Sequence, residues 1–419
     1  MNPLNDAAAS VTASVAAGAV KTPRRHELEA GVLSLVTSQS EAQDIFKIAE
    51  RINPKRAFLF VSTLLGRHIP VDPVEHRAAL QTLADGVQTH LLDGPVFVMG
   101  FAETAVGIGA GVFDCLRMGN PARNIGYLTT TRFPARGASE WFSIEEGHSH
   151  AVDHTILEPG PGVVQQGADA TLVLVDDETT TGKTFSELAA GLCAQSQQFG
   201  RVVLVTLTDW SDDQAQTAVE GIFKGADVCS VTLQKGSWSW TPKENWTPSA
   251  LPGGCKAHRS PWIPDADQTF AAPRLGLASS AARQSGEDIL SDLQRSGLRS
   301  TGAGDKVLVV GAGEHVWQPM LAAEALCERG IHARFITTTR SPILQGDTIR
   351  QKVSFPDHYG QGFWMYMHNV TPSDWDRILF FTETGVDGLP AELIDWLGQV
   401  DVIDGSGAVT VLKSAVGAA

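Results

Sequence analysis

From Val96 onward, short aliphatic runs alternate with amphipathic stretches of helical length, a pattern few folds accommodate. VFVMG (96–100) reads as a buried strand, and a stretch containing Gly107, Gly109 and Gly111 opens a helix after it. NIGYLTTTR (124–132) supplies the next strand. TLVLVDDETTTGKT (171–184) then runs from a strand into a small-residue loop ahead of the helix FSELAAGLCAQS. RVVLVTLTD (201–209) and ADVCSVTLQ (226–234) complete the series. Strands separated by helices form a parallel sheet with helices on both faces, so the fold class is α/β. Ligands in such sheets bind outside the carboxyl ends of the strands. The loops after Gly100, Thr131 and Val175 are therefore where chemistry is expected.

At roughly 150 residues per domain, a chain of 419 residues holds two or three domains. Its 43% hydrophobic and 19% charged residues exclude a largely disordered chain. Residues 235–300 interrupt the alternation with Pro, Gly, Ser and the tryptophans Trp238, Trp240, Trp246 and Trp262. Alternation resumes at DKVLVVGAGEH (305–315), continues as a helix through Leu326, and reaches HARFITTTRSP (332–342). The expected organisation is a disordered tail over 1–30, a main domain over 31–235, a Trp/Pro-rich connector over 236–300 and a second α/β domain over 301–415. The Ala/Val-rich start has its basic residues after it, the wrong polarity for a secretory signal. A net charge of −15 argues against nucleic acid bound through a broad basic surface. No apolar run approaches the ~20 residues of a membrane helix. The five cysteines (Cys115, Cys193, Cys229, Cys255, Cys327) form no CxxC pair and read as reduced thiols of a cytoplasmic protein.

The second α/β stretch echoes the first. GFAE (100–103) corresponds to GAGE (311–314), and YLTTTRFP (127–134) to FITTTRSP (335–342). RILFFTETG (377–385) is a weaker counterpart of LVLVDDETTTG. On that alignment Phe381 and Thr382 stand where the first stretch has two aspartates, so the copy has lost their chemistry. Duplication is the favoured reading.

VLVDDETTTGKT (173–184) is the segment that carries chemistry. Asp176 and Asp177 stand where the strand leaves the sheet, before a hydroxyl- and glycine-rich turn that opens a helix. Backbone N–H groups of Thr180 to Thr184, with the helix dipole behind them, form a cradle for a monophosphate. Gly182 lets the backbone approach that phosphate, and Thr180, Thr181 and Thr184 add hydroxyl donors. Two carboxylates beside a phosphate would repel it unless they hold ribose hydroxyls or Mg²⁺. Ribose 5-phosphate bearing a leaving group fits that arrangement.

This segment resembles the phosphoribosyl-diphosphate (PRPP) motif of type I phosphoribosyltransferases, the departure being Glu178 and Thr179, where that family usually carries apolar residues. More narrowly, roughly residues 35–415 resemble the orotate-phosphoribosyltransferase-like proteins of tellurite-resistance-type operons. Their C-terminal domain is named for its TRSP residues, here Thr339, Arg340, Ser341 and Pro342, with a GE motif matching Gly313-Glu314. The resemblance implies a type I core with a hood and transfer of 5-phosphoribose from PRPP, with Mg²⁺, to a small acceptor in nucleoside-like biosynthesis. It implies that Asp176 and Asp177 hold the ribose hydroxyls or the metal, and that Thr179 to Thr184, Lys183 included, hold the 5-phosphate. Glu103, Thr104, Ala105 and Arg132 would line the diphosphate side. Residues 136–154 match the position of a closing lid, from which His148, His150 or His154 would serve the diphosphate. The hood, 51–70, offers Lys55, Arg56, Arg67 and His68 either as anion ligands or as a solvated surface. Trp238 and Trp240 either stack an acceptor base or pack the second domain onto the first. A homodimer is the default assembly for enzymes built this way.

Other motifs fit less well. DETTTGKT approaches the phosphate-loop pattern GxxxxGK[ST] but has Asp177 for the first glycine, which would repel a triphosphate. HSHAVDH (148–154) carries one residue too many before Asp153 for an HxHxDH metal motif. GIGAG (107–111) lacks dinucleotide spacing. The competing class is a sensor that binds PRPP or a nucleotide without turnover.

Overall fold

Four aliphatic strands, Val96–Gly100, Ile125–Thr129, Gly167–Val175 and Phe199–Asp209, carry almost no polar residue along their central stretches, and all four lie inside one sheet. In this computed structural model, residues 23–53, 56–133, 135–144, 154–244, 246–247, 253–265, 272–302 and 304–413 are described. The parallel order is Asp227–Pro242, Phe199–Asp209, Gly167–Val175, Val96–Gly100, Ile125–Thr129. Helices Pro73–Gln88, Val106–Gly119, Lys183–Ala194 and Gln214–Glu220 pack on this first unit, whose core is built from those strands.

Two expected boundaries shift. The Asp227–Pro242 strand runs unbroken across the junction expected at 235/236. Its far end, Gly236–Pro242, turns the alternation Trp238/Trp240 into an antiparallel pairing with Gly31–Thr37. Arg24–Glu27, expected in the tail, pairs with that same strand. The hood expected over 51–70 takes in the second strand of a hairpin, Phe46–Glu50/Phe58–Ser62, that begins before it.

The second unit has a five-stranded sheet in the order His332–Thr337, Lys306–Gly311, Arg377–Phe381, Gln399–Ile403, Val409–Lys413, the last antiparallel. At the strand ends its backbone repeats several hydrogen bonds of the first unit. Phe101 N donates to Val175 O and Ala312 N to Phe381 O; Thr130 N donates to Gly100 O and Thr338 N to Gly311 O. Ala102 N donates to Thr130 Oγ1, and Gly313 N to Thr338 Oγ1, both at 2.9 Å. Each TTTR turn also pairs with a hairpin strand, through Thr131/Thr155 and Thr339/Tyr366.

These bonds correct the alignment of the two acids. Asp176 N donates to Val205 O as Thr382 N does to Ile403 O, so Asp176 matches Thr382 and Asp177 matches Glu383. One carboxylate is therefore kept in the second unit.

The units also exchange edge segments. The stretch ending at Val71, just before helix Pro73–Gln88, lies on the second unit's edge: Val71 N donates to Phe335 O at 2.8 Å, and Phe335 N to Val71 O at 3.0 Å. Leu277–Ala278, just before helix Gly286–Arg295, pairs with Tyr127 and Gly126 on the first unit's edge. Because of this exchange Val71, Ala102 and Val106 pack into the core of the second unit. A Cβ on Gly107 would stand 2.8 Å from Val316 Cγ1, so this glycine serves the contact between units as well as its own helix.

Candidate active site

The Gly167–Val175 strand ends at the middle of the first sheet, and the two acids follow at once. Asp177 N donates to Asp176 Oδ1 at 2.9 Å, and the Thr104 hydroxyl donates to Asp177 Oδ1 at 2.9 Å. Burial, then the neighbouring Asp177 charge, pushes the Asp176 carboxyl well above its ordinary value. Burial and then the Glu178 charge raise Asp177 as well. Glu178 is itself paired to Arg56 of the hood, Nη2 to Oε1 at 2.9 Å. The departure from the resembled motif thus has a partner, which the sequence did not reveal.

Glu178–Thr179 forms a two-residue strand beside Thr208–Asp209, and buried Thr179 accepts from Trp210 N at 2.9 Å. Thr179 is accordingly part of the sheet, and the open turn begins at Thr180. Gly182 has φ of 72° and precedes helix Lys183–Ala194. A Cβ there would lie 2.3 Å from Ala215 Cα, so the packing reason for glycine is the neighbouring helix Gln214–Glu220. The first-turn N–H groups of Lys183–Ala194 face the loop end, as at any helix start. Lys183 Nζ instead pairs with Glu187 at 3.4 Å on the exposed helix surface.

On the other side of the acids, Ala105 N is taken by Phe101 O at 2.8 Å. Glu103 is bound by the guanidinium of buried Arg67 and stands 3.8 Å from Arg340 Nε of the second unit. Arg67 also donates to Gly313 O at 3.2 Å and Thr337 Oγ1 at 3.0 Å. Arg67 and His68 are thus buried between the units, neither surface residues nor free anion ligands.

Reciprocally, Glu314 of the second unit accepts from Thr131 Oγ1 at 2.6 Å, Arg132 N at 2.8 Å and Arg274 Nε at 3.2 Å. Arg274 Nη2 donates to Glu383 at 2.7 Å, and the Tyr359 hydroxyl donates to Glu383 at 3.2 Å. Arg274 precedes its exchanged segment as Arg67 precedes Val71, and each binds the glutamate that ends one of the matching GFAE and GAGE stretches. Glu314 thus pairs with Arg274, while Arg340 of its own unit stands near Glu103.

Arg132 Nη2 lies 3.2 Å from His154 Nε2, and Thr130 Oγ1 lies 2.9 Å from His154 Nδ1. Since guanidinium only donates, Nε2 is the acceptor and the proton sits on Nδ1, directed at Thr130. His148, His150 and Lys55 lie outside the described residues.

Trp238 and Trp240 pack on the hood and not on the second unit: Phe58 is 5.1 Å from Trp238 and 5.2 Å from Trp240. Arg56 is clasped by this aromatic group, 5.0 Å from the Phe58 ring, 5.2 Å from Phe60 and 5.6 Å from Trp238. This buried aromatic cluster therefore fixes Arg56 beside Glu178.

Comparison with known proteins bears on this arrangement. Residues 45–237 match the family model described as phosphoribosyl transferase, and residues 271–397 match the TRSP domain found C-terminal to it. Over residues 45–237 the chain belongs to the phosphoribosyl transferase family, with a TRSP domain after it. Its enzyme class, PRPP-dependent transfer of phosphoribose, goes with that membership. No curated protein matches. Among solved structures, the chain is similar to adenine phosphoribosyl transferase from Trypanosoma brucei, at 11% identity over 45% of this chain and 76% of that one, TM-score 0.32. Orotate phosphoribosyltransferase of Francisella tularensis matches at 15% identity over 45% and 80%, TM-score 0.27. An adenine phosphoribosyltransferase of Giardia lamblia, complexed with 9-deazaadenine, matches at 18% over 45% and 93%, TM-score 0.31.

Proposed function

We propose that the first unit transfers 5-phosphoribose from PRPP to a small planar acceptor and releases diphosphate. The observation that carries this reading is the raised, adjacent pair Asp176–Asp177 beside a phosphate-sized turn at a helix start. Carboxylates held above their ordinary range are relieved by hydroxyl donors or a cation, and ribose offers two vicinal hydroxyls. Two hard oxygen ligands also fit Mg²⁺, the rest of whose shell would be substrate oxygens and water. When bound, the ion would neutralise charge on the departing diphosphate.

The chain's own residues do the remaining work. Thr180, Thr181 and the first turn of Lys183–Ala194 hold the 5-phosphate, fixing the ribose over the acids. Thr104 orients Asp177 through its 2.9 Å hydrogen bond. Arg132, kept in place by Glu314 and His154, meets negative charge as the bond to diphosphate lengthens. Arg56, held beside Glu178 by the buried rings of Phe58 and Phe60 and by Trp238, is placed to address the polar edge of the acceptor.

Calorimetric titration with PRPP, with and without Mg²⁺ and with ATP as control, tests the reading. PRPP is expected to bind, more tightly with Mg²⁺, and to lose binding in the Asp176→Asn/Asp177→Asn double variant. ATP binding with indifference to PRPP would overturn it. Diphosphate release in the presence of candidate heterocycles then separates an enzyme from a sensor.

A further inference from the structure

Arg340 differs from the other arginines between the two units in having little to hold. Arg67 and Arg274 are buried and each makes several hydrogen bonds to carboxylates, hydroxyls or carbonyls. Arg340 is partly exposed and, among the described residues, makes no hydrogen bond. Its guanidinium lies 4.5 Å from the Phe363 ring centroid, and its Nε stands 3.8 Å from Glu103 Oε1. The ring fixes where the cation points without using its N–H donors.

That point lies in the first unit. Glu103 neighbours Thr104, whose hydroxyl is bonded to Asp177, so Arg340 stands next to the loop on the far side of the acid pair from the 5-phosphate turn. Glu103 brings one negative charge against two cations, Arg67 and Arg340, and Arg67 already occupies its Oε2. Among the described residues Arg340 thus keeps its five N–H donors unbonded, on the face where a group leaving ribose C1 would emerge.

We propose that Arg340, carried by the TRSP turn of the second unit, is a direct ligand of the PRPP diphosphate in the first unit's site. The inference rests on the reading of that site as a PRPP site. It gives the second unit a role: it donates one guanidinium across the crossed interface to the first unit's site. The contact is non-covalent. On binding, the guanidinium exchanges its long contact with Glu103 for short bidentate bonds to phosphate oxygens, while Arg67 keeps Glu103 neutralised.

The test uses the full chain and three probes, PRPP, diphosphate and ribose 5-phosphate, titrated at constant Mg²⁺. Arg340→Ala should weaken PRPP and diphosphate about tenfold or more, while ribose 5-phosphate stays within about twofold. Arg340→Lys should recover part of the loss, as a charge without the planar fork. Equal PRPP and diphosphate affinities in Arg340→Ala and the unaltered chain would overturn the proposal. So would an equal loss for all three probes, which marks a structural role. If the unaltered chain binds neither PRPP nor ribose 5-phosphate, the reading of the site itself fails, a result distinct from either of these.

Discussion

Asp176 and Asp177 lie in surroundings that penalise their charged forms, and that cost is measurable. Their folded carboxyls titrate above the ordinary range, chiefly through burial. A raised acid contributes stability that is complete below its unfolded pKa and is lost as pH rises through the folded value. At neutral pH the loss is in force, so Asp176→Asn/Asp177→Asn should melt higher than the unaltered chain while losing PRPP. The gap in melting temperature should close as pH falls toward 4, and thermal melts across pH check it. Gly182 carries the opposite kind of constraint. Alanine there must hold a left-handed backbone and place Cβ 2.3 Å from Ala215 Cα. Gly182→Ala is expected to cost about 2 kcal/mol or more, and to weaken ribose 5-phosphate binding. Urea unfolding and calorimetry read the two effects separately. The acids and the glycine were visible in the sequence because each works within a dozen residues of one strand end. The reason for glycine was not, since Ala215 belongs to another helix.

Among the elements, the short segments that the units exchange matter more than their length suggests. Arg274 arrives on one of them and sits between Glu314 and Glu383, both buried. Removing the guanidinium strands two carboxylates in a dry interface. Arg274→Met should therefore cost about 3–5 kcal/mol in urea unfolding, although it removes no strand or helix. The hood works through similar long-range pairing. The sequence pointed to its second strand within 51–70 but not to the first, Phe46–Glu50, and its partners Trp210, Trp238 and Trp240 lie far along the chain. The sequence singled out Trp238 and Trp240 as residues that stack an acceptor or pack, but not Trp210. Which surface they would meet depended on the long strand Asp227–Pro242 continuing past residue 235, where Gly, Ser and Pro enrichment had suggested a connector. Antiparallel pairing with Gly31–Thr37 outweighs that local preference.

In the whole molecule, the two units behave as an internal pair with one shared polar layer. Burial holds several histidines there and in the adjoining cores neutral: His76, His315 and His358 are lowered to about 4, and His368 to about 3. For a base lowered in the folded state, stability is complete above the unfolded value of 6.5 and is lost as pH falls from there through the folded value. Each such histidine contributes at most about 1.4 kcal/mol per pH unit in that window. The chain should therefore lose denaturation resistance steeply between pH 6.5 and 4, and urea midpoints across that range check it. The acid pair works against this trend, so the double aspartate variant should show a steeper fall.

The sequence by itself determined the α/β class, the strand ends where chemistry belongs, the acid–threonine–glycine loop and the echo of GFAE in GAGE and of one TTTR in another. All of these are written in local periodicity or in short spacings, which the chain must obey before any distant contact forms. Only the tertiary structure decided that the two units swap edges, that Arg67 and Arg274 are buried between them, and that Glu103 faces Arg340 while Glu314 faces Arg132. Some of these partners lie as far as 270 residues apart. Their choice depends on which carboxylate each guanidinium can reach once water is excluded, a matter of packing on which local spacing is silent.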